Sequence, residues 1–162
     1  MTEFEIRQVA DADAKSLIKL IGDCFSEYEG VVLEPEGLDS DLHTYATSIA
    51  DAGGEAFAVD MDQELVALVS YAPLEGKRFQ LKRIYLSSKL RGSGMGLKLL
   101  HHVEARAKAR GATEMELWSD TRFTRAHRFY EREGYMKQAE TRDLHDISNT
   151  TEFQFIKQLG SS

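Results

Sequence analysis

Residues 88–100 read SKLRGSGMGLKLL. Arg91 stands before three alternating glycines, Gly92, Gly94 and Gly96, with Ser93 and Met95 between them, and a leucine-rich run follows. Glycine reaches positive φ and lets a backbone come close to a ligand. A helix that opens at such a loop offers free N–H groups and a partial positive charge. Arg91 would add charge-assisted hydrogen bonds. Together these suit a pyrophosphate, although a plain Gly-rich turn has the same spacing. A Walker A loop is excluded, because no Gly-Lys-Ser/Thr closes the run. The dinucleotide fingerprint G-x-G-x-x-G fits Gly92 and Gly94 but meets Leu97 at its third position, while Glu116 stands about where a ribose-binding acid would.

Downstream, Tyr130 stands within the stretch AHRFYEREGY from Ala126 to Tyr135. On a helix it shares a stripe with Phe123 and Ala126, and pattern alone favours a core aromatic.

These residues need a scaffold. Phe4 to Val9 alternates at period two and predicts a strand. Asp11 suits a helix N-cap, and Leu17, Ile18, Ile21, Cys24 and Phe25 follow at helical spacing. Gly30 to Gly37 reads as a loop. Leu38, Leu42, Tyr45 and Ile49 make a second helical stripe, ended by Gly53-Gly54. Glu55 to Asp60 and Glu64 to Tyr71 predict a hairpin turning at Met61-Asp62-Gln63, and Arg78 to Ser87 predicts a third strand. Leu97 to Arg110 predicts a helix stopped by Gly111. Met115 to Trp118 predicts a strand, and a helix bearing Phe123 and Tyr130 closes at Gly134. Two strands follow, Tyr135 to Thr141 and Glu152 to Lys157. The order βααβββαβαββ predicts an α/β fold with a mixed sheet.

One strand carries a phase slip. Phe79 and Leu81 are apolar at odd positions, Ile84 and Leu86 at even ones. A single register cannot bury all four on one face. An extra residue near Lys82-Arg83 would restore the phase as a β-bulge, a device common beside active sites. A strand buried on both faces would also explain the pattern, but Lys82 and Arg83 are poor choices for such a core.

The 162 residues suit one domain spanning 1–162, with 42% hydrophobic and 29% charged side chains. No apolar run approaches the ~20 residues of a membrane helix, so no membrane partner is expected, and the N-terminus does not read as a signal peptide. Cys24 is the single cysteine, which excludes an internal disulfide and a Cys-based zinc site. The cytoplasm is the expected compartment. Net charge is −7, divided unevenly: residues 1–76 carry 3 basic and 17 acidic side chains, residues 77–162 carry 17 and 10. The acidic balance argues against nucleic acid as a partner. A basic second half suits a small polyanion, and it equally suits attraction between the two halves.

Arg91-Gly92-Ser93-Gly94-Met95-Gly96 resembles the R/Q-x-x-G-x-G/A motif of the GNAT acetyltransferase superfamily. Ile84-Tyr85-Leu86 resembles the strand ahead of that loop, and Ala126 to Tyr135 is similar to the family's A-x-x-F/L-Y-x-x-x-G-F/Y stretch, about 30 residues downstream. The resemblance implies an acyl-CoA N-acyltransferase fold, a mixed, mostly antiparallel sheet of about 6–7 strands flanked by about four helices. It implies transfer of an acetyl group from acetyl-CoA, as co-substrate and without metal, to a primary amine by direct attack in a ternary complex. Backbone amides from Arg91 through Gly96 would hold the pyrophosphate, the pantetheine arm would pair near Ile84, Tyr85 and Leu86, the Leu86 N–H would face the oxyanion, and Tyr130 would be the general acid. Many relatives carry asparagine where this chain has Phe123, so Phe123 would pack on CoA or fill the core. The acceptor would be an amine-bearing small molecule or peptide meeting Tyr28 to Gly37 and Arg142 to Thr150. Lys82, Arg83 and Arg142 hint at an anionic group on it, and His145-Asp146 is either a substrate-facing pair or a turn brace. No general base is visible: Glu29 and Glu116 both read as surface charges. His101 and His102 lack metal-ligand spacing. A homodimer is a further option that the family suggests. A non-catalytic acyl-CoA-binding or sensing module is the alternative, and a Rossmann-type oxidoreductase stands third.

Overall fold

The computed structural model describes residues 4–160. Seven strands form one sheet: β1 (Ile6–Gln8), β2 (Glu55–Met61), β3 (Glu64–Pro73), β4 (Arg78–Leu86), β5 (Glu114–Asp120), β6 (Met136–Asp143) and β7 (Thr151–Gln158). The helices are α1 (Ala14–Phe25), α2 (Tyr45–Asp51), α3 (Met95–Ala109) and α4 (Thr124–Arg132). The sheet order is β1-β2-β3-β4-β5-β7-β6, and every neighbouring pair is antiparallel except β4–β5. Fold class and element order agree with the expectations from sequence.

Each element has a local cause. The β2–β3 hairpin turns at Asp62 and Gln63, both at positive φ (52° and 68°), the twist that a two-residue turn needs between antiparallel strands. Helix α3 ends where Gly111 reaches φ 96°, and α4 where Gly134 reaches 95°. Two readings change. Asp11 is not a helix cap: its carboxylate accepts from the N–H and hydroxyl of Thr47, tying α2 to the chain ahead of α1. Leu38 is exposed and precedes the helical turns, so the second stripe begins at Leu42.

The sheet divides the core in two. Leu99, Leu100 and Val103 of α3 and Tyr130 of α4 pack on one face with Val69, Phe79, Leu81, Met115, Leu117 and Phe155. Leu17, Leu20 and Ile21 of α1 and Tyr45 and Ile49 of α2 pack on the other with Ala58, Leu65 and Leu68.

The expected bulge is in β4. Ser70 pairs with Arg83 and Tyr71 with Leu81, so Lys82 has no partner on β3. Phe79, Leu81, Ile84 and Leu86 therefore all reach the α3 face, while Tyr85 joins the α1–α2 cluster. The parallel pairing of β4 with β5 stops at Gln80–Glu116. Beyond it the two strands part and leave a wedge-shaped gap in the sheet.

Candidate active site

The backbone of β4 on the gap side can be read from its register. Ser87 N–H donates to Val66 C=O at 2.8 Å. Bonded and non-bonded pairs alternate along an antiparallel ladder, and Leu86 and Ile84 pair with Ala67 and Val69 at the non-bonded positions. Their N–H and C=O groups therefore point away from β3 into the gap, whereas those of Tyr85 serve β3. The Cys24 thiol, on α1, donates to Leu86 C=O at 3.3 Å, so that carbonyl already has a partner. Burial, seconded by Glu27, pushes the Cys24 thiol up to about 11, so it stays protonated near neutral pH.

The glycine turn meets this strand end. A Cβ on Gly96 would lie 3.8 Å from Leu86 and from Phe129, so the start of α3, the end of β4 and α4 converge. Within the turn, Arg91 N–H donates to Ser88 C=O at 3.2 Å, Ser93 N–H to Leu90 C=O at 3.1 Å, and Met95 N–H to Ser93 Oγ at 3.2 Å. Among the described residues, no acceptor meets the N–H groups of Gly92, Gly94 and Gly96, nor that of Leu97. Gly92 and Gly94 sit at φ 76° and 81°, with nothing within 4 Å of where a Cβ would stand. Alternate amides at the mouth of α3 thus face open space, the arrangement an anionic phosphate chain requires. The Met95 side chain is buried in the core below and anchors the turn. Arg91 pairs with Glu27, so its charge lies at the rim of the turn with an acidic partner.

Tyr130 is 6% exposed, its ring among Phe129, Tyr135 and Phe155 at centroid distances of 5.7, 5.9 and 5.8 Å. Its hydroxyl has no hydrogen-bond partner among the described residues. Burial, and then the nearby Tyr85 hydroxyl, raises its pKa well above the ordinary value of 10.0, so the phenol keeps its proton far into the alkaline range. Both readings of this residue meet in one geometry: the ring is core, and the hydroxyl is uncommitted.

On the α1 side of the gap lies an aromatic group. Phe123 packs 4.7 Å from Tyr28 and 6.0 Å from Phe25, and Phe25 meets Tyr85 edge-on at 5.7 Å. Phe123 therefore faces rings from the α1 end, with no polar contact from its side chain. The packing of Tyr28 and Phe25 on Phe123 was not visible in the sequence, because Phe123 lies almost a hundred residues away.

The cations that hinted at an anionic acceptor are occupied. Arg83 Nη2 donates to Asp39 and Asp41, each at 3.1 Å. Arg142 Nε donates to Glu152 at 2.6 Å and its guanidinium lies 4.4 Å from the Trp118 ring centre. Lys82 reaches Gln80. The hint thus loses its support. Glu116 accepts from Trp118, Gln80 and Arg78 at 2.5, 3.2 and 3.3 Å, which makes it a poor base, and Glu29 is exposed. Asp146 accepts from Thr150 N–H and hydroxyl, both at 2.7 Å; it braces the turn rather than pairing with His145. A dent of about 500 Å³ at the far end of the β4–β5 pair is lined by Lys77, Arg78, Thr113 and Glu114, whose charges Arg78 and Glu114 satisfy in each other.

No helix among the described residues is long and apolar enough to cross a membrane, and no cluster of His, Cys, Asp or Glu there could hold a metal. No curated protein sequence matches the chain. Solved structures do. An acetyltransferase of the GNAT family from Staphylococcus aureus Mu50 aligns at TM-score 0.82 and 18% identity, over 98% of this chain and 100% of that one. The PaiA N-acetyltransferase of Thermoplasma acidophilum, solved with coenzyme A, aligns at 0.74 and 17% identity over 97% and 99%. An acetyltransferase from Salmonella typhimurium, solved with its cofactor acetyl-CoA, aligns at 0.74 and 14% over 99% and 96%. The sequence profile of the acetyltransferase (GNAT) family matches residues 15–135, and the chain belongs to that family.

Proposed function

We propose that the protein moves an acetyl group from acetyl-CoA to the primary amine of a small-molecule acceptor by direct attack. The observation that carries this reading is the set of uncommitted backbone donors where the end of β4 meets the start of α3, namely the glycine amides of the turn and the gap-side N–H groups of Ile84 and Leu86, together with a Tyr130 hydroxyl that has no partner among the described residues. Family membership supplies the reaction class, and coenzyme A and acetyl-CoA are found in similar folds.

When bound, acetyl-CoA supplies the activated acyl group. The residues of this chain would act around it. The N–H groups of Gly92, Gly94, Gly96 and Leu97 would donate to the pyrophosphate oxygens, helped by the start of α3. Ile84 and Leu86 would extend β4 toward the pantetheine amides, and Leu86 N–H would stabilise negative charge on the reacting oxygen. Tyr130, kept protonated by burial, donates to the departing sulfur. Asp39, Glu116 and Asp146 are engaged with cations or amides, and the acceptor amine would lose its proton to water.

The test joins binding to turnover. Acetyl-CoA should raise the melting temperature by mass action, and thiol release should follow addition of a suitable amine. Tyr130→Phe should lower kcat by about 10²-fold or more while keeping the acetyl-CoA stabilisation. A chain that acetyl-CoA stabilises but that releases no thiol with any amine would instead be a binding module. Absence of stabilisation at millimolar acetyl-CoA would refute the reading.

A further inference from the structure

The segment that follows α1 does not run straight to α2. Helix α1 lies over β3 and β4. The Tyr28 ring then packs on Phe123, a Cβ at Gly30 would lie 3.4 Å from Arg122 Nη1, and Val32 N–H donates to Ser148 Oγ at 2.8 Å. The same hydroxyl donates to Val32 C=O at 3.3 Å. Arg122 and Phe123 follow β5, and Ser148 precedes β7. The chain then returns to Asp39, which holds Arg83 on β4. A segment that starts over β4 and is fastened beyond β5 must cross the gap between them. It does so on the face opposite α3 and the glycine turn.

The far anchor is stiff. Ser148 is 5% and Thr150 7% exposed. Leu144 N–H bonds Thr150 C=O at 3.0 Å, Asn149 N–H bonds Asp146 C=O at 3.1 Å, and Arg122, gripped by Asp120, reaches Thr150 Oγ1 at 3.3 Å. Ser148 is thereby presented by a braced turn and not by a loose loop.

We propose that residues 28–32 form a strap, held by Ser148, that admits compact free amines and excludes amines carried on a polypeptide. A continuous peptide lying along the gap would have to displace the Val32–Ser148 pair. A small amine can pass beneath it. Under the strap lie the rings of Phe25, Tyr85 and Phe123, with the strap's own Tyr28 packed on Phe123, so the accepted amine carries an apolar body. Ser148 is a positioning residue: it touches the strap and not the reacting atoms. The inference rests on the acetyl-transfer reading above.

The experiment compares wild type, Ser148→Ala and Ser148→Thr in thiol release with acetyl-CoA. The acceptors are a panel of small primary amines that includes benzylamine, and a short peptide with a free N-terminus and one lysine. Wild type should acetylate small amines and not the peptide. Ser148→Ala should raise the peptide-to-amine ratio of kcat/KM by about tenfold or more, with the KM for acetyl-CoA unchanged, and Ser148→Thr should retain the wild-type ratio. Hydrogen exchange at Val32 should quicken in Ser148→Ala alone. A wild type that acetylates the peptide as readily as the small amines overturns the strap and leaves acetyl transfer standing. So does an unchanged ratio in Ser148→Ala. No turnover of either acceptor by any of the three proteins, all of them stabilised by acetyl-CoA, overturns acetyl transfer in favour of a binding module and the substrate filter with it. Absence of stabilisation by acetyl-CoA overturns the acetyl-transfer reading and the substrate filter with it.

Discussion

At the glycine turn, three residues of one type have two different jobs. Gly92 and Gly94 hold positive φ, where an L side chain is strained, while Gly96 has ordinary helical geometry with room for a methyl group against Leu86 and Phe129. Gly94→Ala should therefore destabilise the fold by about 1–2 kcal/mol, seen in urea denaturation, and should weaken stabilisation by acetyl-CoA because the turn must rearrange. Gly96→Ala should stay within about 0.5 kcal/mol of wild type, and its added methyl should leave the amide free. Equal losses from both would show that the turn acts by bulk and not by backbone direction. The spacing of the glycines was legible in the sequence. Which amides stay free was not, since that depends on Ser93 turning its hydroxyl to Met95 N–H. Arg91 was read as a cation for the phosphate, and its pairing with Glu27, 64 residues away, was not visible. Asp11 was read as a local cap for the same reason, its partner being Thr47.

Among the elements, β4 determines the site. It pairs with β3 throughout and with β5 for three residues only, and its bulge at Lys82 turns Ile84 and Leu86 to the α3 face. This was readable from sequence because the slip in apolar phase coincided with two charged residues, which a two-sided core would not tolerate. Deleting Lys82 should turn the bulge into an unbroken ladder, with Leu81 and Arg83 adjacent opposite Tyr71 and Ser70 and with Ile84 and Leu86 still on the α3 face. The cooperative thermal transition should survive, but β4 would lose its local bend beside the gap, and stabilisation by acetyl-CoA should weaken. Lys82→Ala keeps the residue count and should melt within a few degrees of wild type. A deletion variant that acetyl-CoA stabilises as strongly as wild type would remove the bulge from the argument. The segment 28–32 gave no such signal, because its two fixings depend on Phe123 and Ser148, which local patterning cannot join to it.

In the whole molecule, ion pairs tie the outer elements to the sheet. Arg106 of α3 grips Glu55 of β2 through two bonds of 2.7 and 2.8 Å, and Tyr71 hydroxyl adds a third at 2.5 Å. The Arg106 bonds lead in holding the Glu55 carboxyl below its ordinary value of 4.5. A carboxylate whose folded pKa is depressed adds stability above its unfolded pKa and loses it as pH falls through the folded value. Glu55→Gln should thus melt about 2–4 °C below wild type at pH 7, and the two melting curves should converge once the pH drops below that of a free carboxylate. A gap that persists in acid would assign the effect to packing.

The division of the core into two clusters has one further consequence. The proposed donor site is built from α3, α4 and the glycine turn on one face of the sheet, and the proposed acceptor mouth from α1, its trailing segment and the turn at 144–150 on the other. The two faces are joined by the backbone of β4, by the Cys24 thiol on Leu86 C=O and by the Arg91–Glu27 pair. Substitutions on the second face away from Cys24 and Glu27 can therefore exchange one acceptor for another without disturbing how the acyl donor is held. The gap in the sheet works as a bulkhead with a single port, and chains built this way are free to diversify in what they modify while keeping what they modify it with.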